Sequence, residues 1–263
     1  MSTILFSILS LGILGGVFGG LLALASKIFH VEVDPRQEAV RNCLAGANCG
    51  GCGFPGCDGY AKAVAAGEAP TNKCVPGGEE TAKKLAEIMG VEEGAAEARV
   101  AVVKCSGGDI NAEKRFNYSG PEDCRAAMLF GGKGNKMCTF ACIGYGNCTR
   151  ACKFDAIHIE NGVAVVNRKR CVGCGACAEA CPKKIIELIP KSQKVMPLCS
   201  SKAKGAVVIK SCKVGCIACT KCQRECPSDA IHVIDNLAVI DYSKCTGCGH
   251  CSEICTRKII KVL

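Results

Sequence analysis

The stretch CVGCGACAEACPKKII (171–186) returns as CTGCGHCSEICTRKII (245–260), 74 positions further along the chain. The similarity extends upstream of both stretches, because DAIHI (155–159) returns as DAIHV (229–233) at the same offset without a gap. Eight cysteines of the first copy have a counterpart in the second: Cys138, Cys142, Cys148, Cys152, Cys171, Cys174, Cys177 and Cys181 correspond to Cys212, Cys216, Cys222, Cys226, Cys245, Cys248, Cys251 and Cys255. Self-similarity at a fixed offset indicates a duplicated folding unit.

The last four cysteines of each copy are spaced C-x2-C-x2-C-x3-C. This run is typical of bacterial ferredoxins, in which three cysteines bind one [4Fe–4S] cluster and the fourth binds the neighbouring cluster. The rule predicts three sets of ligands: Cys152 with Cys171, Cys174 and Cys177; Cys226 with Cys245, Cys248 and Cys251; and Cys255 with Cys216, Cys219 and Cys222.

A fourth set departs from this pattern at one position. Tyr145 stands where the second copy has Cys219, so the first copy lacks one ligand. We therefore assign Cys138 to this set, beside Cys142, Cys148 and Cys181, although the second copy keeps a cysteine at the matching position without needing it. Four cysteines have no assigned role, and we expect them to be buried thiols, with ligation near Cys138 as the alternative: Cys105, Cys124, Cys199 and Cys212.

A separate motif, CGGCGFPGC (49–57), precedes the repeat and is followed by a further cysteine. Four thiols of this segment can converge on one cluster: two on a glycine loop, a third five positions later and a fourth after a short helix. The glycines let backbone N–H groups approach its sulfides. A fifth [4Fe–4S] cluster is therefore predicted, with the ligands Cys49, Cys52, Cys57 and Cys74. Asp34 and Pro35 predict the start of a helix ahead of the motif. Cys43 near its end is expected to be a buried small side chain and not a ligand.

The composition separates this interpretation from other classes of protein. Of 263 residues, 25 are cysteine, a content that a disulfide scaffold or structural zinc sites would also produce. Adjacent C-x2-C runs favour shared metal centres over strained neighbouring disulfides, and therefore a reducing compartment. The formal charge of +9 counts the thiolates as neutral, and clusters of about −2 each bring the loaded protein close to neutrality. Because the chain has few aromatic residues and no tryptophan, nucleic-acid binding is disfavoured.

The N-terminal segment from Met1 to Ser26 contains no charged side chain and is long enough to cross a bilayer. A cleaved signal peptide is the alternative, but it requires a basic first segment, which is missing here. The first cation, Lys27, follows the segment, so we predict a single-pass anchor in the plasma (inner) membrane with the rest of the chain in the cytoplasm. Gly12, Gly16 and Gly20 share one helix face that another helix could approach closely, unless they are ordinary membrane-helix residues.

The remaining pattern predicts connecting structure. Helices are expected at 34–44, 58–66, 79–89 and 119–130, a strand at 101–103, and β-hairpins at 156–166 and 230–240. His158 and His232 fall on these hairpins and are expected at their surface. The acidic run 92–97 is expected to be a solvated linker, and 131–134 a loop without the strand that a phosphate-binding loop requires. No residues suit acid–base catalysis, so the chain can pass single electrons but cannot deliver hydride.

The order of these parts resembles one family. Four features are similar to the B subunit of the Rnf complex: the apolar segment with its glycines, CGGCGFPGC (49–57) with CVPGG (74–78), CTFACIGYGNCTRAC (138–152) and the paired cluster runs. The resemblance implies a membrane-anchored protein that accepts electrons from reduced ferredoxin. It would pass them toward flavin- and NAD-binding partner subunits that reduce NAD⁺ while the complex pumps Na⁺ or H⁺. The second ferredoxin-like unit is an extension that shorter family members lack.

We therefore predict an α+β chain of five parts: a transmembrane anchor (1–30), a small helical [4Fe–4S] module (31–98), a connecting segment (99–134) and two ferredoxin-like units (135–190 and 191–263). Two other functions stay open. One is a membrane-tethered polyferredoxin that serves another reductase. The other is a methyl-transfer partner, because CGGCGFPGC also resembles a motif of corrinoid iron–sulfur proteins.

Overall fold

The structure is a computed structural model of the chain, and it describes residues 2–28, 34–92, 98–130 and 133–262. Three predicted parts lie largely or partly outside these ranges: most of the acidic linker, two glycines of the loop 131–134, and most of the connection from Lys27 to Asp34. The described helices are α1 (Ser2–Ile28), α2 (Pro35–Cys43), α3 (Gly56–Ala65), α4 (Gly78–Met89), α5 (Cys124–Leu129), α6 (Asn147–Arg150), α7 (Ala176–Ala180), α8 (Gly205–Ser211), α9 (Lys221–Arg224) and α10 (His250–Glu253). The described strands are β1 (Arg99–Val103), β2 (Ile157–Glu160), β3 (Val163–Val166), β4 (Ile186–Pro190), β5 (Val195–Pro197), β6 (Ile231–Ile234), β7 (Leu237–Ile240) and β8 (Ile260–Val262).

Helix α1 is a long apolar helix that the rest of the described chain leaves uncovered. Its segment Ile8–Ile28 has a mean hydropathy of 2.2 and is not buried. No atom lies within 4 Å of where a side chain would begin on Gly12, Gly16 or Gly20. By length and composition, α1 can cross a membrane.

Helices α2, α3 and α4 form a small helical module with its own core. Helix α2 begins as predicted, because the Asp34 carboxylate accepts the backbone N–H of Arg36 at 2.8 Å. The core is centred on Val40, Tyr60 and Leu85, whose side chains are fully buried. This core holds the CGGCGFPGC loop against the helices that precede and follow it.

A β-hairpin connects the two cysteine runs of each repeat, as the sequence predicts. Strand β2 pairs antiparallel with β3, and β6 with β7. The turns at Asn161–Gly162 and Asp235–Asn236 all have positive φ, which two-residue hairpin turns require. The duplication therefore extends to the backbone conformation of the turns.

A second two-stranded ladder, which the sequence did not predict as a pair, completes each unit. Strand β1 pairs antiparallel with β4, and β5 with β8. Strand β1 was expected in the connecting segment, yet its partner is the last strand of the first unit. Each unit thus takes one strand from the chain ahead of its cysteine runs.

The predicted helix 119–130 is wrong at its start. Only Cys124–Leu129 is helical, because the Asp123 carboxylate accepts the N–H groups of Arg125 and Ala126 at 2.8 and 2.9 Å. This side chain caps the helix and fixes its first turn. The cap places Cys124 at the first helical position.

Candidate metal centres

Short helices carry one cysteine of each predicted set in the two ferredoxin-like units. Cys148, Cys177, Cys222 and Cys251 each occupy the second position of such a helix, in α6, α7, α9 and α10. The residue before each helix has a left-handed backbone with φ between 58° and 83°, and these residues are Gly146, Gly175, Thr220 and Gly249. This sharp turn brings the preceding cysteines of the run around the start of the helix.

One cavity in the first unit has the four cysteines that the ferredoxin rule predicts. Cys152, Cys171, Cys174 and Cys177 line about 340 Å³ of atom-free space. The backbone N–H of Ala101 donates to Cys171 Sγ and that of Ala156 to Cys152 Sγ, each at 3.4 Å. Hydrogen bonds of this kind to ligand sulfurs help to set the reduction potential of an iron–sulfur cluster.

The other cavity of the first unit differs from the sequence prediction. Its cysteines are Cys124, Cys142, Cys148 and Cys181, around about 360 Å³. Cys138 does not join them; it lines a separate cavity. The N–H of Cys124 donates to Asn147 Oδ1 at 2.8 Å, which fixes α5 against α6. Cys124 thus lines this cavity in the unit that lacks a cysteine at Tyr145, and the two residues belong to one packed cluster.

Sequence reasoning missed Cys124 because it lies outside the repeat offset. Cys105 and Cys138 are separated by 33 positions, whereas Cys199 and Cys212 are separated by only 13. The first unit thus has an insertion of twenty residues, and the insertion contains α5 with Cys124. An unmatched cysteine in an insertion, next to a unit that lacks one ligand, was the signal that could have identified it.

The helical module gathers its four predicted cysteines around a cavity of similar size. Cys49, Cys52, Cys57 and Cys74 line about 320 Å³. The N–H of Cys57 donates to Asn48 Oδ1 at 2.7 Å, which closes the loop on itself. Cys43 does not line this cavity; it packs against the module core but is half-buried, not buried as predicted.

The second unit repeats the arrangement of the first. The N–H of Ala230 donates to Cys226 Sγ at 3.4 Å, as that of Ala156 does to Cys152 in the first unit. Six of its predicted ligands lie in or against one hydrophobic core: Cys216, Cys222, Cys226, Cys245, Cys251 and Cys255. The other two, Cys219 and Cys248, are exposed, whereas all remaining cysteines of the chain are buried or half-buried. His158 and His232 lie at the hairpin surface, as predicted, with side chains 43% and 36% exposed.

Burial makes the thiols on the short helices harder to deprotonate than an ordinary thiol. It raises the pKa of Cys148 and Cys177 to about 12, and the pKa of Cys222 and Cys251 to about 11. Thiolates are the species that bind iron, so loading must release protons.

The spacing of the thiols suits a cluster better than a single ion. Among the described residues no three side chains converge closely enough to hold one ion. A four-iron cluster takes one thiolate at each iron and therefore needs its ligands spread around a cavity. In each of these three cavities four cysteines line the wall, which fits that requirement.

The helical module touches the first ferredoxin-like unit at its cysteines. A Cβ on Gly51 would lie only 2.8 Å from the carbonyl oxygen of Cys174. Nearby, Lys153 Nζ donates to the carbonyl oxygen of Asn48 at 2.7 Å. The CGGCGFPGC loop thus lies directly on one of the cysteine runs.

Comparisons with known protein families also point to iron–sulfur clusters. A family model described as a putative Fe–S cluster matches residues 44–76. Three models described as 4Fe–4S dicluster domains match residues 141–186, 170–230 and 207–256. The fold and the cysteine sets therefore define a multi-cluster iron–sulfur protein with ferredoxin-like units.

Curated relatives identify the family. The chain is 45% identical over 261 residues to the B subunit of the Na(+)-translocating ferredoxin:NAD(+) oxidoreductase complex of Acetobacterium woodii, covering 99% of this chain and 78% of that protein. It is 42% identical over 264 residues to the B subunit of the ion-translocating oxidoreductase complex of Methanosarcina acetivorans, covering 100% of both. A shorter match, 38% identical over 157 residues, is to the corresponding protein of Vibrio cholerae (60% of this chain, 66% of that protein). The chain belongs to this family of B subunits of ion-translocating oxidoreductase complexes, which confirms the resemblance seen in the sequence.

Proposed function

We propose that this chain accepts single electrons from reduced ferredoxin and relays them to flavin- and NAD-binding partner subunits that reduce NAD⁺ within an ion-translocating complex. One observation carries the proposal: successive cysteine sets adjoin one another in space. The loop of the first module lies on Cys174, and Cys142, Cys148, Cys177 and Cys181 share one buried core. Full-length similarity to the family of B subunits favours this function over a polyferredoxin for another reductase or a methyl-transfer partner.

Five [4Fe–4S] clusters follow from the regular cysteine runs. Four of the sets are those predicted from the sequence: 49/52/57/74, 152/171/174/177, 216/219/222/255 and 226/245/248/251. For the fifth set the cavity supports Cys124 in place of Cys138, beside Cys142, Cys148 and Cys181. When bound, each cluster supplies a one-electron carrier, and the chain contributes its thiolates and N–H groups.

Ferredoxin docks on the second unit in this proposal. Cys248 of the second unit corresponds to Cys174 of the first, where Gly51 covers the cysteine run. Among the described residues none covers the second unit in this way: Cys248 is exposed, and nothing lies within 4 Å of where a side chain would begin on the neighbouring Gly247. The same face is therefore occupied by a cluster module in one unit and open to a soluble donor in the other.

Three basic residues lie close in sequence to the cysteines of the second unit and can steer an acidic donor. Arg224 and Lys244 are exposed, and Lys221 is half-buried on the short helix that follows Cys219. Electrostatic steering raises association rates by about 10- to 1,000-fold and weakens with salt. The alternative is that these charges only offset the negative charge of the clusters.

Charge reversal decides between these alternatives. The variant Lys221→Glu/Arg224→Glu/Lys244→Glu should slow reduction by ferredoxin about ten-fold or more at low salt and flatten its salt dependence. Stopped-flow absorbance of the full chain measures both. The matched control Lys62→Glu/Lys169→Glu/Lys191→Glu makes the same change in net charge on exposed residues of the first module and first unit. An equal slowing in both variants, or none in the first, would show that ferredoxin does not dock here.

The anchor is proposed to cross the plasma membrane once, with the N-terminus outside and all clusters in the cytoplasm. Helix α1 lacks charge until Lys27, and cations mark the cytoplasmic end of a membrane helix. Thiol labelling of intact cells tests this orientation. A cysteine placed at Ser2 should react with a membrane-impermeant reagent, and no reaction before lysis would contradict the orientation.

A further inference from the structure

The separate cavity beside Cys138 contains the cysteines that the ferredoxin rule leaves without a role. It is lined by Cys105, Cys138, Cys199 and Cys212 around about 320 Å³ of atom-free space. The cavity of the first module, which has the CGGCGFPGC cysteines, has the same volume of about 320 Å³. Three of the four side chains are only 7–9% exposed, and Cys138 is half-buried. These four thiols therefore face one common cavity.

Each ferredoxin-like unit contributes two of these cysteines from equivalent places in its fold. Cys105 lies two residues after β1, and Cys199 lies two residues after β5. Cys138 and Cys212 occupy matching positions of the repeat. The cavity is therefore built from the same two parts taken twice, once from each unit.

Backbone hydrogen bonds connect the cavity to the cysteine sets on both sides. The N–H of Cys142 donates to Cys105 Sγ at 3.4 Å, and the N–H of Cys216 donates to Cys199 Sγ at 3.4 Å. Cys142 belongs to the proposed cluster set of the first unit, and Cys216 to that of the second. The same kind of N–H to sulfur contact occurs at Cys152, Cys171 and Cys226, which the ferredoxin rule assigns as ligands.

Contacts between the units hold the two sides of the cavity together. Ala112 forms an antiparallel bridge with Cys212, and Ser200 Oγ donates to the carbonyl oxygen of Phe140 at 3.1 Å. A Cβ on Gly107 would lie 3.1 Å from Cys212 Sγ, so only glycine leaves this sulfur its present space. Within the second unit, the guanidinium of Arg257 donates to the carbonyl oxygen of Cys212 at 2.6 Å.

We propose that Cys105, Cys138, Cys199 and Cys212 bind a sixth [4Fe–4S] cluster that bridges the two ferredoxin-like units. The inference rests on the proposed function and extends it. The cluster takes one electron from the Cys216 set of the second unit and passes one electron to the Cys142 set of the first, with no bond made or broken. Without it, the succession of cysteine sets is interrupted between the units. With it, the succession runs from the exposed Cys248 to the first module.

Iron analysis of the full chain tests the proposal. Six clusters give about 24 iron atoms and as many acid-labile sulfides per chain in anaerobically purified protein, and five give about 20. A reproducible value of about 20 would overturn the sixth cluster and leave the five-cluster proposal intact. A value well below 20, or stoichiometric zinc, would overturn both.

Paired variants assign the site. Cys105→Ser/Cys212→Ser removes one ligand from each unit and should lower the content by about four irons, to about 20. The control Cys43→Ser changes the one cysteine that lies outside all six sets and should leave about 24. Mössbauer spectra should show all remaining iron in four-iron clusters in both variants. An unchanged iron content in the double variant would overturn the assignment, and if that variant does not fold, the count in the unaltered chain still decides.

Discussion

The contact between the first module and the first ferredoxin-like unit can be broken at one residue. In Gly51→Ala, the added Cβ would lie 2.8 Å from the carbonyl oxygen of Cys174, 3.0 Å from its Cα and 3.1 Å from its Cβ. Two of these atoms belong to the backbone of a cysteine run, so rotating a side chain cannot relieve the overlap. The module and the unit must separate or distort.

The size of the effect follows from overpacking. Adding a methyl group to a tightly packed contact costs about 1–3 kcal/mol, which corresponds to about a five-fold to 150-fold shift in the docking equilibrium. The hydrogen bond from Lys153 Nζ to the carbonyl of Asn48 involves an exposed lysine and contributes less than this cost. We therefore expect the interface to open and the loop to stay folded on its own module.

Native-state hydrogen exchange of the full chain measures the opening. Peptides that contain residues 48–57 and 171–177 should exchange faster by the same factor, and peptides from the second unit should not change. Electron transfer from the second unit to the first module should slow in parallel.

The control is Gly50→Asn in the same loop. Nothing lies within 4 Å of where its side chain would begin, and asparagine tolerates its left-handed backbone (φ +75°). Unchanged exchange in Gly51→Ala, or equal acceleration in Gly50→Asn, would refute the contact argument.

Three further substitutions test other parts of the chain. Lys136 is 3% exposed and donates to the carbonyl oxygen of Gly162 at 2.8 Å. Its positive charge stabilises the reduced, more negative form of a nearby cluster. Lys136→Met should therefore lower the reduction potential of that cluster by an amount on the order of tens of millivolts, measured by potentiometric titration. Asp123→Ala removes the cap of α5 and should cost about 1 kcal/mol, seen as faster loss of about four irons to a chelator; a rate equal to that of the unaltered chain would show that the cap does not support Cys124. Gly16→Leu fills an open face of α1 and should reduce co-purification with membrane partners, since bulky residues prevent close helix approach; full recovery of partners would make the glycines ordinary membrane-helix residues.

Local regularities in the sequence were enough for most of the architecture. The offset of 74 residues identified the two ferredoxin-like units, and alternating residues with turn signals placed both hairpins within one residue. These features depend on contacts between residues near each other in the chain, so spacing alone reports them. The apolar helix α1 and the helical module were predictable for the same reason.

The long-range ladders were not predictable from spacing. Strand β1 pairs with β4 across more than eighty residues, and neither strand has a local signal that names its partner. The pairing decides where Cys105 lies, because this cysteine lies only two residues after β1. Only the tertiary structure therefore brings it toward Cys138.

The cysteine sets also differ in how far the sequence alone could predict them. Where the predicted ligands of one set stand in a short run, as in 171–177, the sequence by itself determined which cysteines line one cavity, because the spacing of the run limits how its thiols can converge. Where a set draws on distant segments, the sequence left alternatives. Cys124 lies in an insertion outside the repeat, and the Cys105, Cys138, Cys199 and Cys212 cavity combines four separate segments from two units. Which of these thiols face the same cavity depends on how the units pack together, and only the folded chain decides that.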